Sequence, residues 1–288
     1  MPTSKIFYLR MINNNGNFIS QTQEALSSNR AFLYGDAVFE TIKIVDNKIL
    51  FFEDHYFRLM ASMRIIRMEI PLNFTMEFIE SEILKTAEIN NFSQCARARI
   101  TVYRNAGGLY MPQTNSISYI IQSTQIKNKY YQISKDKYEI DLFKDFYITK
   151  HLLSTIKTTN KLINIVGSIY ASENDLQNCL LLNDSKNVVE ALNGNIFMLL
   201  DGKIHTPPLS EGCLNGIMRK QILKIAKKIN EIDVVEIPIS PFDLQKADEL
   251  FITNTITGIQ PITKYRKKEY EQNYSDSLVE KLNLMIAN

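Results

Sequence analysis

A polar stretch, STQIKNK at residues 123–129, divides the chain near its midpoint. A mixture of strand-like and helical segments runs up to it and starts again beyond it. Such a pattern excludes an all-helical bundle or an all-β sandwich, each of which keeps one periodicity throughout, and points to two α/β domains. The expected division is an N-terminal α/β domain at 1–122, a linker at 123–129 and a C-terminal α/β domain at 130–288. In the first domain, strands at 6–11 and 17–20 flank a turn at 13–16 whose Asn-Gly pair supplies the positive φ angles of a tight hairpin. A second hairpin joins 38–45 to 48–52 across Asp46-Asn47. Phe52, Tyr56, Leu59, Met63 and Ile66 recur at helical spacing, a second helix covers 76–89, and strands follow at 97–103 and 117–122. The second domain opens with a helix through Leu162, Ile165 and Ile169 and a strand at 180–182. Next come a hairpin of 195–200 with 203–206 across Asp201-Gly202 and a helix at 216–229. Strands at 234–237 and 250–253 and a helix at 275–287 complete it.

Composition narrows the function. The 288 residues are 45% hydrophobic with a net charge of +2, so the chain can bury a large core and is not disordered. It has neither the roughly 18-residue apolar run of a membrane span nor the apolar core of a secretory leader, and a cytoplasmic protein is expected. Near-neutral charge without a basic block argues against nucleic acid as a partner. Cys95, Cys179 and Cys213 are too scattered for a disulfide framework. With His55, His151 and His205 as the only histidines and no HExxH, no metal site is expected. GxGxxG, Walker A and GxSxG patterns are absent, which removes support for dinucleotide binding, P-loop chemistry and α/β-hydrolase chemistry.

Six longer segments carry the chemistry. They are RAFLYGDAVFETIKI (30–44), HYFRL (55–59), IKTTNKL (156–162), VVEALNGNIF (188–197), HTPPLSEGCLNGIMR (205–219) and ELFITNTITGIQPI (249–262). In this order and spacing they resemble the class IV aminotransferases across essentially the whole chain. These are the fold-type IV enzymes that use pyridoxal 5'-phosphate (PLP), and they include branched-chain and D-amino-acid aminotransferases and aminodeoxychorismate lyases. The resemblance implies the two-domain α/β fold of that type, with the cofactor in the cleft between domains, a homodimer, and an amino-acid-like small molecule as substrate.

It also implies roles for particular residues. Lys157 is the Schiff-base lysine, acting as acid and base at the substrate Cα; a buried amine loses pKa, which suits it to proton transfer near neutrality. Glu190 matches the carboxylate that keeps the cofactor's ring nitrogen protonated. Arg58, at the edge of its helix's apolar stripe, matches the phosphate arginine. Ile217 and Met218 match the helix start whose backbone N–H groups hold the phosphate, with Met218 replacing the usual threonine. Thr255 aligns with a phosphate-touching threonine, and Asn195 joins the cofactor-binding set. Phe39 and Tyr34 fall in a segment that lines the substrate side, and Arg104, Tyr110, Lys161 and Thr257 fall at substrate-binding positions.

The reaction within the family stays open. The loop Arg104-Asn105-Ala106-Gly107-Gly108-Leu109-Tyr110 lacks the Arg-x-His pair of D-amino-acid aminotransferases. Lys161 stands where branched-chain enzymes place a tyrosine. Aminodeoxychorismate lyases resemble the chain more in this loop, in Asn160-Lys161-Leu162 and in Thr253-Asn254-Thr255, although an arginine expected between Gly-Gly and Tyr is missing. The leading expectation is such a lyase, giving 4-aminobenzoate, a folate precursor, and pyruvate. An aminotransferase on branched-chain or other small amino acids is the alternative, and a non-catalytic PLP-binding protein the third.

Overall fold

Paired left-handed residues close three of the expected hairpins: Asn15 and Gly16 (φ 50° and 84°), Asp46 and Asn47 (47° and 60°), and Asp201 and Gly202 (52° and 71°). The computed structural model describes residues 10–20, 27–228 and 233–287, and the chain falls into two units, Met1–Lys129 and Tyr130–Asn288.

The first unit runs β1 (Met11–Asn14), β2 (Asn17–Ser20), α1 (Arg30–Tyr34), β3 (Ala37–Val45), β4 (Lys48–Ile49), α2 (Phe52–Ile65), α3 (Met76–Ile89), β5 (Cys95–Arg104) and β6 (Ile117–Gln125). Its strands form one sheet in the order β2-β1-β6-β5-β3-β4. Alternation along β3 and β5 separates two faces. Val38, Glu40, Ile42 and Ile44 pair with Val102, Ile100, Ala98 and Ala96 on the face toward α2, where Leu59 and Met63 are also buried. Phe39, Thr41 and Lys43 lie on the other face, opposite Thr101, Arg99 and Arg97.

Several boundaries differ from expectation. The first strand, expected at 6–11, is β1; residues 6–9 lie outside the described ones. Asn13, expected in the turn, is instead a fully buried strand residue whose Nδ2 donates to Glu82 Oε2 at 2.7 Å. The strand expected at 48–52 stops at Ile49, because Phe51 adopts φ 56° and α2 starts at Phe52. β6 runs on through residues 123–125 of the segment expected to be linker.

The second unit runs β7 (Glu139–Ile148), α4 (Leu162–Glu173), β8 (Asn178–Asn183), β9 (Val188–Ala191), β10 (Asn195–Leu200), β11 (Lys203–Thr206), α5 (Ile217–Lys228), β12 (Val234–Glu236), β13 (Glu249–Asn254), β14 (Gly258–Ile262), β15 (Lys264–Tyr265), β16 (Lys268–Glu269) and α6 (Asn273–Ala287). The helix expected at 216–229 is α5; Ile229 lies outside the described residues. Two five-stranded sheets result, β12-β11-β10-β13-β14 and β16-β15-β7-β8-β9. Ile140, Leu180 and Leu182 of one sheet and Ile196, Met198, Leu250 and Ile252 of the other share a single core. Phe143, Cys179 and Leu181 make a second cluster with Ala171 of α4. The fold is mixed α/β, as the sequence implies. Among the described residues no helix is long and apolar enough to cross a membrane.

Candidate active site

Five expected residues meet in the second unit around the loop that precedes α5. Glu190 on β9 accepts the backbone N–H of Leu214 at 2.8 Å, and Asn195 on β10 donates its Nδ2 to the Leu214 carbonyl at 2.8 Å. Asn215 N–H in turn donates to the carbonyl of Thr155 at 3.1 Å. That bond tethers the stretch carrying Lys157, which lies between a short 3-10 turn (Leu152–Thr155) and α4. Gly216 is closely packed, since a Cβ at this position would lie 1.9 Å from Asn195 Oδ1 and that side chain would have to move. Ile217 and Met218 then begin α5 with buried side chains, so what they offer is the backbone N–H groups of a first helical turn.

The electrostatics centre on Glu190. Burial pushes its carboxyl above the usual range, while the charges of Lys161 and Lys157 and the Leu214 N–H pull it down. Cys213 beside it is a buried thiol pushed up to about 12 by desolvation, so it adds no charge. Thr253 on β13, across from Asn195, has a buried hydroxyl oxygen that finds no hydrogen-bond partner among the described residues. Beyond it the side chain of Asn254 accepts the N–H groups of Ile256 and Thr257 at 3.0 and 2.9 Å. The Thr255 carbonyl takes the Tyr131 hydroxyl at 2.9 Å, which fixes the turn bearing Thr255 and Thr257.

These features fit PLP. A carboxylate strained by burial suits a protonated ring nitrogen, a lysine stands close enough to act on its charge, and a helix start framed by a close-packed glycine suits a phosphate. The charges of Lys157 and Lys161 thus converge on Glu190, and Asn195 joins them through Leu214. Leu214, Thr155, Asn254 and Tyr131 position the site through hydrogen bonds to backbone groups that no local sequence pattern marks.

In the first unit, Arg58 is bound to Glu40. Its Nε donates to Oε1 at 2.7 Å and its Nη2 to Oε2 at 2.5 Å, while His55 Nδ1 lies 2.7 Å from Oε2. Burial alone would raise the Glu40 carboxyl, but the charges and hydrogen bonds of Arg58 and His55 prevail and hold it at about 2. Phe39 is 8% exposed with the Arg99 guanidinium 3.7 Å from its ring centre. Tyr110 is 92% exposed, and its ring centre lies 5.9 Å from that of Tyr34.

Arg104 is placed differently from its expected substrate contact. It is 6% exposed, and three of its nitrogens are committed inside the unit. Nε donates to Asp36 Oδ2 at 2.9 Å, Nη1 to the Arg67 carbonyl at 3.2 Å and Asn115 Oδ1 at 2.5 Å, and Nη2 to the Ile66 carbonyl at 2.6 Å. Four of its five N–H donors are thereby used. Asp36 also accepts from Arg30, whose Nη1 reaches the carbonyls of Gly107 and Leu109 at 3.1 and 2.7 Å. The two arginines strap down the loop that carries Tyr110.

Comparison with known proteins shows the family and the fold. Residues 37–265 match amino-transferase class IV. The chain is 31% identical over 258 residues, 86% of its own length and 85% of the other's, to a protein of Methanocaldococcus jannaschii provisionally named branched-chain-amino-acid aminotransferase. Its structure superposes on a branched-chain aminotransferase of Thermoproteus uzoniensis with norvaline at a TM-score of 0.84, covering 94% of this chain and 92% of that one at 22% identity. A structure from Legionella pneumophila, provisionally named 4-amino-4-deoxychorismate lyase, gives a TM-score of 0.82 at 23% identity, covering 92% of this chain and 96% of that one. The fold and the matched segments define a PLP-dependent enzyme fold of type IV. The chain belongs to the class IV aminotransferase family, whose members use PLP.

Proposed function

We propose that the chain is a PLP-dependent aminotransferase acting on amino acids, with Lys157 as its catalytic residue. The observation that carries this reading is the convergence on Glu190, where a half-buried, partly desolvated carboxylate, the Leu214 N–H and the charges of Lys157 and Lys161 come together within one unit. When bound, PLP supplies an aldehyde that holds the substrate amine and a ring that takes up the electrons released at Cα. Glu190 holds a proton at the ring nitrogen. Lys157 would take the proton from the substrate Cα and pass it to the carbon that was the cofactor's aldehyde. The N–H groups of Ile217 and Met218, with Thr255, bind the phosphate, and Asn195 keeps the preceding loop in place. Arg58 is a further phosphate ligand, oriented by Glu40. Phe39, Lys161, Tyr110 and Thr257 serve the substrate, whereas Arg104 serves the loop.

Two observations favour transfer over the lyase. The likeness at 31% identity is to a protein named as a transferase. In addition, the loop that resembled the lyases offers no open cation, since Arg104 is buried in its strap and Leu109, 76% exposed, stands where the lyases carry arginine. Lys161, whose charge reaches Glu190, is the observation that keeps the lyase as a second reading. The test is a single-turnover reaction of the holoenzyme with amino donors and, separately, aminodeoxychorismate. An aminotransferase releases one keto acid per site and stops until a keto-acid acceptor is added. Continuous release of pyruvate and 4-aminobenzoate without an acceptor would establish the lyase instead.

A further inference from the structure

Three segments of the second unit meet on the carboxylate of Glu211, a buried residue that closes the short 3-10 turn Leu209–Glu211. Its Oε2 accepts Nδ2 of Asn183, at the end of β8, at 2.7 Å, and Nδ2 of Asn187, in the turn to β9, at 2.9 Å. Asn183 Nδ2 also donates to the Glu211 carbonyl at 3.1 Å. The same asparagine's Oδ1 accepts the backbone N–H groups of Ser185 and Asn187, each at 3.0 Å, so the turn into β9 is fixed to this one carboxylate. The third segment follows β7. There Lys150 Nζ lies 3.9 Å from Glu211 Oε1 and donates to Ser185 Oγ at 2.7 Å. Burial alone would raise the Glu211 carboxyl, but the hydrogen bonds from Asn187 and Asn183 and the charge of Lys150 prevail and hold it below the usual carboxylate range. Gly212, with φ 96°, lets the chain pass close to the segment after β7. A Cβ here would meet Ile148 Cγ2 at 3.2 Å and both Ser154 Oγ and the Thr149 carbonyl at 3.3 Å.

Each segment leads to a different part of the candidate site. The connection bearing Lys150 runs on to Lys157, Asn187 leads into the strand that carries Glu190, and Glu211 itself leads to Leu214 and the start of α5. We infer that Glu211 is a positioning residue that holds these three segments in register, so that Lys157, Glu190 and the first turn of α5 keep their mutual placement. The inference rests on the proposed function for the roles of Lys157 and Glu190. Glu211 acts through the segments it ties. Without its carboxylate Asn187 loses its acceptor, Asn183 keeps only the Glu211 carbonyl, and Lys150 is left with Ser185 and, at 4.0 Å, Asp184. Because one carboxylate serves all three, its loss loosens them together.

The test compares Glu211→Met, which keeps the bulk but no acceptor, and Glu211→Gln, which keeps an oxygen for the two asparagines, with the unaltered protein at a temperature where all are folded by circular dichroism. Two quantities are read: amide hydrogen exchange of the cofactor-free protein by peptide mass spectrometry, and PLP affinity by equilibrium dialysis. In Glu211→Met, exchange rises about tenfold or more in peptides covering 149–157, 184–190 and 211–216 together, and the PLP dissociation constant rises about tenfold or more. Glu211→Gln recovers most of both, a rescue that a merely space-filling role would not require. Faster exchange confined to 209–216, or an unchanged PLP dissociation constant in Glu211→Met, overturns the inference. Should Glu211→Met not fold, Asn187→Ala removes a single donor, and its PLP dissociation constant rises about threefold or more; an unchanged value overturns the inference equally. Concerted loosening of the three segments in a protein that binds no PLP would leave the tie standing and remove the proposed function. Binding and turnover that ignore Glu211→Met would do the reverse.

Discussion

Oε2 of Glu190 and the backbone N–H of Leu214 are 2.8 Å apart, and this bond joins strand β9 to the loop from which α5 starts. The carboxylate expected at the ring nitrogen and the N–H groups expected at the phosphate are thus parts of one hydrogen-bonded assembly. Replacing Glu190 by Gln keeps an oxygen for Leu214 but removes the charge. We expect turnover of the holoenzyme to fall by about tenfold or more, the order of a lost acid–base contribution. An unchanged kcat would remove Glu190 from the reaction.

The same residue shapes the stability of the cofactor-free protein. Because burial raises its pKa, the folded state prefers the protonated carboxyl. Its contribution is therefore fully present below the ordinary value of 4.5 and is lost as pH rises through the raised folded value. Urea unfolding from pH 4.5 upward should show this decline in the unaltered protein and a flatter profile in Glu190→Gln.

Glu40 behaves with the opposite sign. Its fall from 4.5 to about 2 corresponds to about 3 kcal/mol, present above 4.5 and lost as pH drops toward 2. Glu40→Gln would leave Arg58 without its carboxylate, at a cost of about 3–5 kcal/mol at neutral pH, and would flatten the acid limb of the stability curve. Denaturant midpoints across pH 2–7 check both. A variant as stable as the parent would show that the pair contributes nothing.

Arg104 separates a structural role from a substrate one. Arg104→Met removes four hydrogen bonds and leaves Asp36 and the Ile66 and Arg67 carbonyls short of donors, for a loss of about 2–4 kcal/mol and faster proteolysis in loop 107–113. Undiminished stability accompanied by a raised KM would restore the substrate role.

Gly216→Ala tests the helix start. The added Cβ meets Asn195 Oδ1 at 1.9 Å, so Asn195 or the loop must shift, and PLP affinity should fall by about tenfold or more. Equilibrium dialysis measures this directly; an unaltered dissociation constant would mean that the loop takes no part in binding.

How much of this was legible in the sequence depended on whether partners lay near one another along the chain. The helix Met76–Ile89 falls on its expected limits because periodicity, the Thr75 cap and the Asn90 stop are all local. Strand β7 went unseen because its partners, β8 and β15, run parallel to it, so no tight turn flags it. Arg104 looked like a substrate ligand because most of its partners, Asp36, Ile66 and Arg67, lie 37 to 68 residues away in sequence. The roles expected of Lys157, Glu190 and Arg58 rest on resemblance alone, since a lone lysine, glutamate or arginine carries no local mark of function.

The central claim is that Lys157 is the lysine that carries the cofactor. The direct measurement is borohydride reduction of the PLP-loaded protein followed by peptide mass spectrometry. A single phosphopyridoxyl group on Lys157, absent from Lys157→Ala, is the predicted result. A label on Lys161 or elsewhere, or no label on a protein that still binds PLP and turns over amino acids, would contradict it.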